Sequence, residues 1–277
     1  MKKILLLFLC LCIYFLSSGK ACAISLPGGL TIENDVAIGG RTSGNIVILN
    51  NDAEPVTVNI YQTDYMFYAD GRSDFGKPGS TPRSNASWIT YSPNQITVPP
   101  KDSASVAYQI TVPNDQSLRG TYWSVIVVEP IPKAALEPPR AEKDKVAIGV
   151  QAVFRHAVQM ITHIGDTGER ALKFASKRLE NRDGKVFLVL DVENTGERWL
   201  VPALYVDLAD QSGRSLGRFE GGKLRIFPGC SVRYFVDLGA LKPGGYNALV
   251  IADCGEDNAF GARYTLEVGD AAKPLNP

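Results

Sequence analysis

The side chains that could do chemistry are few. His156 and His163 are the only imidazoles in the chain. Outside the first 23 residues, Cys230 and Cys254 are the only thiols. Nucleophilic or acid–base catalysis needs a base held beside its nucleophile, and a thiolate metal site needs close cysteine spacing such as C-x-x-C. Neither pattern occurs. His156 and His163 are seven residues apart, and a strand's period of two places them on opposite faces, so each reads as a partly buried structural histidine. No G-x-S-x-G and no phosphate loop is present. Gly39-Gly40 is too short to cradle phosphate and reads as a turn or bulge. The acidic groups Asp70-Gly71-Arg72-Ser73-Asp74 and Asp253, Glu256, Asp257 lack calcium-loop spacing and read as solvated loops. Asn85-Ala86-Ser87 matches the glycosylation sequon by chance. Trp88 either plugs a core or offers a surface aromatic to carbohydrate. The chemistry excluded in this way leaves a non-catalytic protein with no cofactor and no metal.

The elements that hold these residues begin after a processing signal. Lys2 and Lys3 precede an apolar stretch, Ile4 to Leu16, and Ala21-Cys22-Ala23 forms an A-x-A cleavage site. Residues 1–23 therefore read as a signal peptide, which sends the rest to the periplasm. A lipoprotein reading of Cys22 fits less well, because Gly19 and Lys20 stand where an apolar and a small residue are wanted. Lys+Arg and Asp+Glu balance at 29 each, and removing Lys2, Lys3 and Lys20 leaves a slight acidic excess. That balance argues against nucleic acid as a partner. No later apolar run approaches a membrane span. In an oxidising compartment, the even pair Cys230 and Cys254 is expected to form a disulfide, with Cys230 opening one strand and Cys254 closing the next.

The remaining chain predicts an all-β fold of two immunoglobulin-like sandwiches in tandem, covering 24–164 and 173–270. A linker at 165–172 joins them and a tail follows at 271–277. Val56 to Tyr61 and Val106 to Val112 alternate with period two, and Tyr122 to Val128 is a buried apolar run. The second half repeats the order. Val186 to Val192 ends at Glu193-Asn194-Thr195-Gly196 as Ile46 to Leu49 ends at Asn50-Asn51-Asp52. Phe227-Pro228-Gly229 stands where Val98-Pro99-Pro100 stands. Tyr122 and Tyr246 occupy the place of a tyrosine corner, or are ordinary strand aromatics.

Residues 129–161 carry the functional signal. A charged, Pro-containing linker, Lys133 to Lys145, follows Glu129-Pro130-Ile131-Pro132. A long alternating strand is then expected from Val146 to Ile161. Its even positions are Val146, Ile148, Val150, Ala152, Phe154, His156, Val158 and Met160. Sixteen residues at strand rise would span roughly 50 Å. Such a strand either covers the first core or is offered to a partner for β-augmentation, and both can hold.

These features resemble the PapD-like periplasmic chaperones of pilus assembly. The matching pieces are Asn50-Asn51, the Pro-rich loop with Ile131-Pro132 after Tyr122 to Glu129, and the strand Val146 to Met160. The resemblance implies two immunoglobulin-like domains, a strand donated to an incomplete pilus subunit, and cations that hold the subunit's terminal carboxylate. Arg41 stands for the arginine of that anchor. Arg155 is the only cation between Val146 and Ile161, where the family carries a lysine. The first domain is also similar to the peptidoglycan-binding domain of WxL-interacting surface proteins, through Val98-Pro99-Pro100, Val112-Pro113 and Leu118 to Tyr122.

The leading expectation is a periplasmic chaperone-like protein that binds a secreted or pilus subunit through Val146, Ile148, Val150, Phe154 and Arg155, with Arg41. The alternative is a non-catalytic cell-envelope binding or adhesion protein. It would contact peptidoglycan through the insertion Phe67 to Asn85, with Arg72, Lys77 and Arg83.

Overall fold

The computed structural model describes residues 24–132, 153–255 and 258–269. Almost every regular element in them is a strand, and the strands form four sheets in two sandwiches. The first sandwich contains β1 (Ile24–Ser25), β2 (Thr31–Asp35), β3 (Arg41–Asn50), β4 (Val56–Phe67), β5 (Ser73–Gly76), β6 (Ile89–Ser92), β7 (Gln95–Val98), β8 (Ser103–Thr111), β9 (Gly120–Pro130) and β10 (His156–Ile164). One of its sheets has the order β1-β3-β8-β6. The other has the order β2-β10-β9-β4-β5, with β7 also on β4. The alternation read in the sequence is what packs them. Ile46 and Ile48 on β3 and Val106 and Ile110 on β8 point inward, where they meet Val58, Ile60, Ile126, Val128, Val158 and Met160 from the facing sheet.

The second sandwich contains β11 (Leu172–Arg182), β12 (Lys185–Asn194), β13 (Ala203–Asp210), β14 (Ser215–Lys223), β15 (Ser231–Asp237), β16 (Gly244–Asp253) and β17 (Ala259–Val268). Its sheets are β11-β12-β15 and β14-β13-β16-β17, the three-plus-four arrangement of an immunoglobulin-like domain.

The internal repeat is physical as well as sequential. Asn50 and Asn194 end equivalent strands, and both side chains are fully buried. Asn50 Nδ2 donates to the carbonyls of Glu54, Val98 and Pro99, and its Oδ1 accepts the Asp52 N–H. Asn194 Nδ2 donates to the carbonyls of Arg198 and Ile226, and its Oδ1 accepts the Gly196 N–H. Each amide thus closes the turn after its strand and ties it to the segment before a proline. The tyrosines diverge. Tyr246 Oη donates to the Lys242 carbonyl at 2.8 Å, which makes a tyrosine corner. Tyr122 instead packs its ring on Trp88, with centroids 4.6 Å apart. Trp88 is itself buried, so it plugs the core.

The expected disulfide is absent: Cys230 and Cys254 are both free. Cys230 does precede β15 and Cys254 does follow β16, but these consecutive strands lie in opposite sheets rather than side by side. The Cys230 thiol sits in the core, 3.9 Å from the Met66 sulfur. Burial pushes both thiols up to about 11.

The sandwiches share a core. Trp123 on β9 and Ile161 on β10 belong to the apolar cluster of the second sandwich. The Trp123 ring stacks on Phe227 at 4.8 Å, and its Nε1 donates to the Tyr65 carbonyl. Around this contact Thr121 N–H donates to Glu197 O, and Trp199 N–H donates to Thr121 Oγ1. Glu197 pairs with Arg83 at 3.0 Å.

Candidate functional site

Only the last part of the expected long strand lies among the described residues. Val146, Ile148 and Val150 lie outside the described residues, as does the linker 133–145. Val153, Phe154 and Arg155 have no regular structure, and β10 runs from His156 to Ile164. Within β10 the two faces do separate work. Val158, Met160 and Ile164 fill the first core. Ile161, on the other face, enters the second.

The two edges of β10 differ more. On one side β9 pairs along its whole length, from His156–Val128 to Ile164–Gly120. On the other side β2 pairs in parallel, and only over Gln159 to His163. Gln159 N–H donates to the Leu30 carbonyl at the start of that pairing. By the period of a strand, Ala157 aims its N–H and C=O the same way, beyond the reach of β2. Among the described residues no strand pairs with this side of the stretch, and its surroundings are apolar. Phe154 is 59% exposed, Leu30 47% and Val153 38%. Soluble monomers usually blunt such an edge with charge, proline or a covering element.

Arg155 sits beside it, with Nε 3.8 Å from a Glu129 carboxylate oxygen and Nη1 3.4 Å from Tyr61 Oη. The tyrosine hydroxyl and Glu129 hold its pKa above the ordinary arginine value. Arg41 is elsewhere. It opens β3 in the opposite sheet, paired with Thr111, just past the turn that starts where Val36 N–H donates to His163 O. Arg155 precedes the first residue of β10 and His163 is next to its last. The two arginines thus lie towards opposite ends of β10 and share no described contact. The structure does not bring them to one carboxylate.

His163 is a structural group, as its spacing implied. It is buried, and its Nδ1 is 3.0 Å from Thr121 Oγ1. Because that hydroxyl already accepts the Trp199 N–H, its own proton is free to go to Nδ1. Burial, reinforced by Arg198 and Arg225, lowers the His163 pKa against the opposing pull of Asp35. His156 is half-buried at the other end of the strand.

The insertion after β4 is built into the fold. The buried Asp64 carboxylate accepts from the N–H groups of Gly79 and Thr81 and from the hydroxyls of Ser80, Thr81 and Ser84. Asn85 is fully buried, and its Nδ2 donates to Met160 O and Thr162 Oγ1, so the sequon is sealed in the folded chain. Arg83 is spent on Glu197 of the second sandwich. Arg72 is paired with Asp70 of its own loop at 2.8 Å. Of the three cations expected to contact a cell wall, Arg72 and Lys77 are exposed, and Arg83 is half-buried against the second sandwich.

Sequence reasoning missed the junction between the sandwiches. Trp199, Arg225, Phe227 and Glu197 looked like unremarkable second-domain residues. The usable signal was Trp123, a large aromatic on a strand whose neighbours already filled the first core.

Among the described residues no group of histidine, cysteine, aspartate and glutamate could hold a metal, and no helix is long and apolar enough to cross a membrane. No protein-family model matches the chain, and no curated protein matches it. Solved structures similar to it include a chaperone–tip adhesin complex of CFA/I fimbriae biogenesis (10% identity, TM-score 0.46, covering 88% of this chain and 98% of that one). The class 5 fimbriae chaperone CfaA gives 10% identity and a TM-score of 0.44, with 88% and 98% covered. The Salmonella enterica SafA pilin in complex with the SafB chaperone gives 12% and 0.39, with 90% and 99% covered. Each of these matches extends over most of the chain.

Proposed function

We propose that this protein is a periplasmic, non-catalytic chaperone-like protein. It holds a secreted or pilus subunit by accepting that subunit's edge alongside the N-terminal reach of β10. The observation that carries this reading is the one-sided pairing of His156 to Val158, next to exposed Val153, Phe154 and Leu30. Backbone groups of an incomplete sheet would find hydrogen-bond partners there, and alternate apolar side chains would enter the partner's core. In this reading Val146, Ile148 and Val150, which lie outside the described residues, also belong to the partner-binding set. Arg155 contributes a local polar contact, and Arg41 takes no part in it.

The test is affinity purification from the periplasm, with mass spectrometry of whatever co-purifies. A stoichiometric, β-rich secreted subunit is expected, and Phe154→Asp should abolish its capture while leaving the melting temperature unchanged. Capture that survives this substitution rules out the edge.

A further inference from the structure

β2 covers the one part of the β10 edge that a partner strand would otherwise share, and several observations mark it as weakly seated. It is five residues long, pairs in parallel and, among the described residues, has β10 as its only strand neighbour. Its sequence, Thr-Ile-Glu-Asn-Asp, buries no side chain fully; only Ile32 packs against the first core. Asn34 Nδ2 is buried without a hydrogen-bond partner, an unmet cost of the seated state. Glycine pairs flank the segment. Gly29, at φ +79°, precedes it, and Gly39, at φ +72°, follows it. Side-chain clips reach it from elsewhere. Arg225 of the second sandwich lies 3.2 Å from Thr31 Oγ1 and 3.4 Å from Glu33 Oε1, while its own Nε is buried and unpartnered. His163 Nε2 is 3.9 Å from Glu33.

We infer that β2 is a displaceable strap, clipped by Arg225 of the second sandwich, that shields Gln159 to His163 of β10 until an extended segment takes its place. A strand entering at the uncovered His156–Val158 stretch could then advance along β10. Each backbone bond it made would replace one that β2 gave up, so the exchange is nearly balanced. The second sandwich would set the balance through the guanidinium clip. Only the identity of the incoming strand rests on the chaperone reading; the strap is a property of the chain alone.

Amide hydrogen exchange on the isolated full-length protein tests it without any partner. Residues 31–35 should exchange about tenfold or more faster than the β9 amides, through local rather than global opening. Arg225→Met should speed residues 31–35 several-fold further while leaving β9 unchanged. If residues 31–35 exchange together with β9, or if Arg225→Met leaves their rate alone, the strap is not displaceable. Arg225→Lys, which keeps a cation at the same place, should restore part of the protection, and its failure to do so would remove the clip. A subunit captured by a protein whose β2 never opens would overturn the strap and leave the chaperone reading standing.

Discussion

The two sandwiches share a plan and treat their edges in opposite ways. Both close a strand with a buried asparagine, Asn50 in one and Asn194 in the other. In the second, the first strand stays whole: β11 pairs with β12 over its full run, interrupted by one bulge between Phe174 and Ser176. That edge is guarded by Lys173, Lys177, Arg178, Glu180 and Arg182, with Arg178 paired to Glu180 at 2.8 Å. In the first, the leading segment breaks at Gly28-Gly29. Its two halves go to different sheets, β1 to β3 and β2 to β10. Beside them lies an apolar edge where the described charges, Arg155 and Glu129, face each other. Charges along β11 are the usual defence against unwanted pairing. Among the described residues, the Phe154 edge carries fewer of them.

The largest test of this contrast is Trp123→Ala. The residue lies on a first-sandwich strand but packs in the second core, and loss of so large a buried ring costs about 3–5 kcal/mol. Exchange at β12, β13 and β16 should rise more than at β3 and β8; the reverse would return Trp123 to the first core. Next come Asn50→Ala and Asn194→Ala. Each leaves buried carbonyls unpaired, and chemical denaturation should show a loss of about 1–3 kcal/mol for either. A large effect in one sandwich and none in the other would break their equivalence.

Removing the guard from the second edge sharpens the comparison further. Arg178→Val with Arg182→Val should shift stability by about 0.5 kcal/mol or less, yet promote self-association visible by light scattering. A protein that remains monomeric at high concentration would show that charge is not what protects β11. The smallest effect concerns pH. The folded His163 pKa lies below its ordinary value, so the unfolded chain takes up its proton first. Stability is full above the ordinary histidine range and falls as pH drops through it toward the folded value. His163→Gln should flatten the melting temperature between about pH 7 and pH 5, the window set by an ordinary histidine pKa near 6.5. Loss of the Asp191, Asp207 and Asp237 pairs, whose carboxyl pKa values are lowered by Arg233, Arg218 and Lys185, belongs to more acid conditions.

Period-two alternation made the sandwich class readable, and the Asn50 and Asn194 turns made the repeat readable, because both are local. Sheet membership is not local. Cys230 and Cys254 flank consecutive strands, and nothing in their spacing says that β15 and β16 belong to opposite layers. The same limit hid the crossing of the first segment from one sheet to the other, since Gly28-Gly29 marks a turn without giving its destination. Arg41 and Arg155 looked like partners by analogy, but they lie towards opposite ends of β10 and share no described contact. Apolar residues at 146–154 continue the β10 pattern in sequence, yet in the described residues the strand starts at His156, where pairing with Val128 begins.

The indole of Trp123 also makes each sandwich part of the other's cover. Without Phe227 and Trp199 against it, that ring and Ile161 would form a bare apolar platform on the first sandwich. Severing the chain near Gly165 would leave one fragment with an exposed sticky end and the other with a hole in its centre.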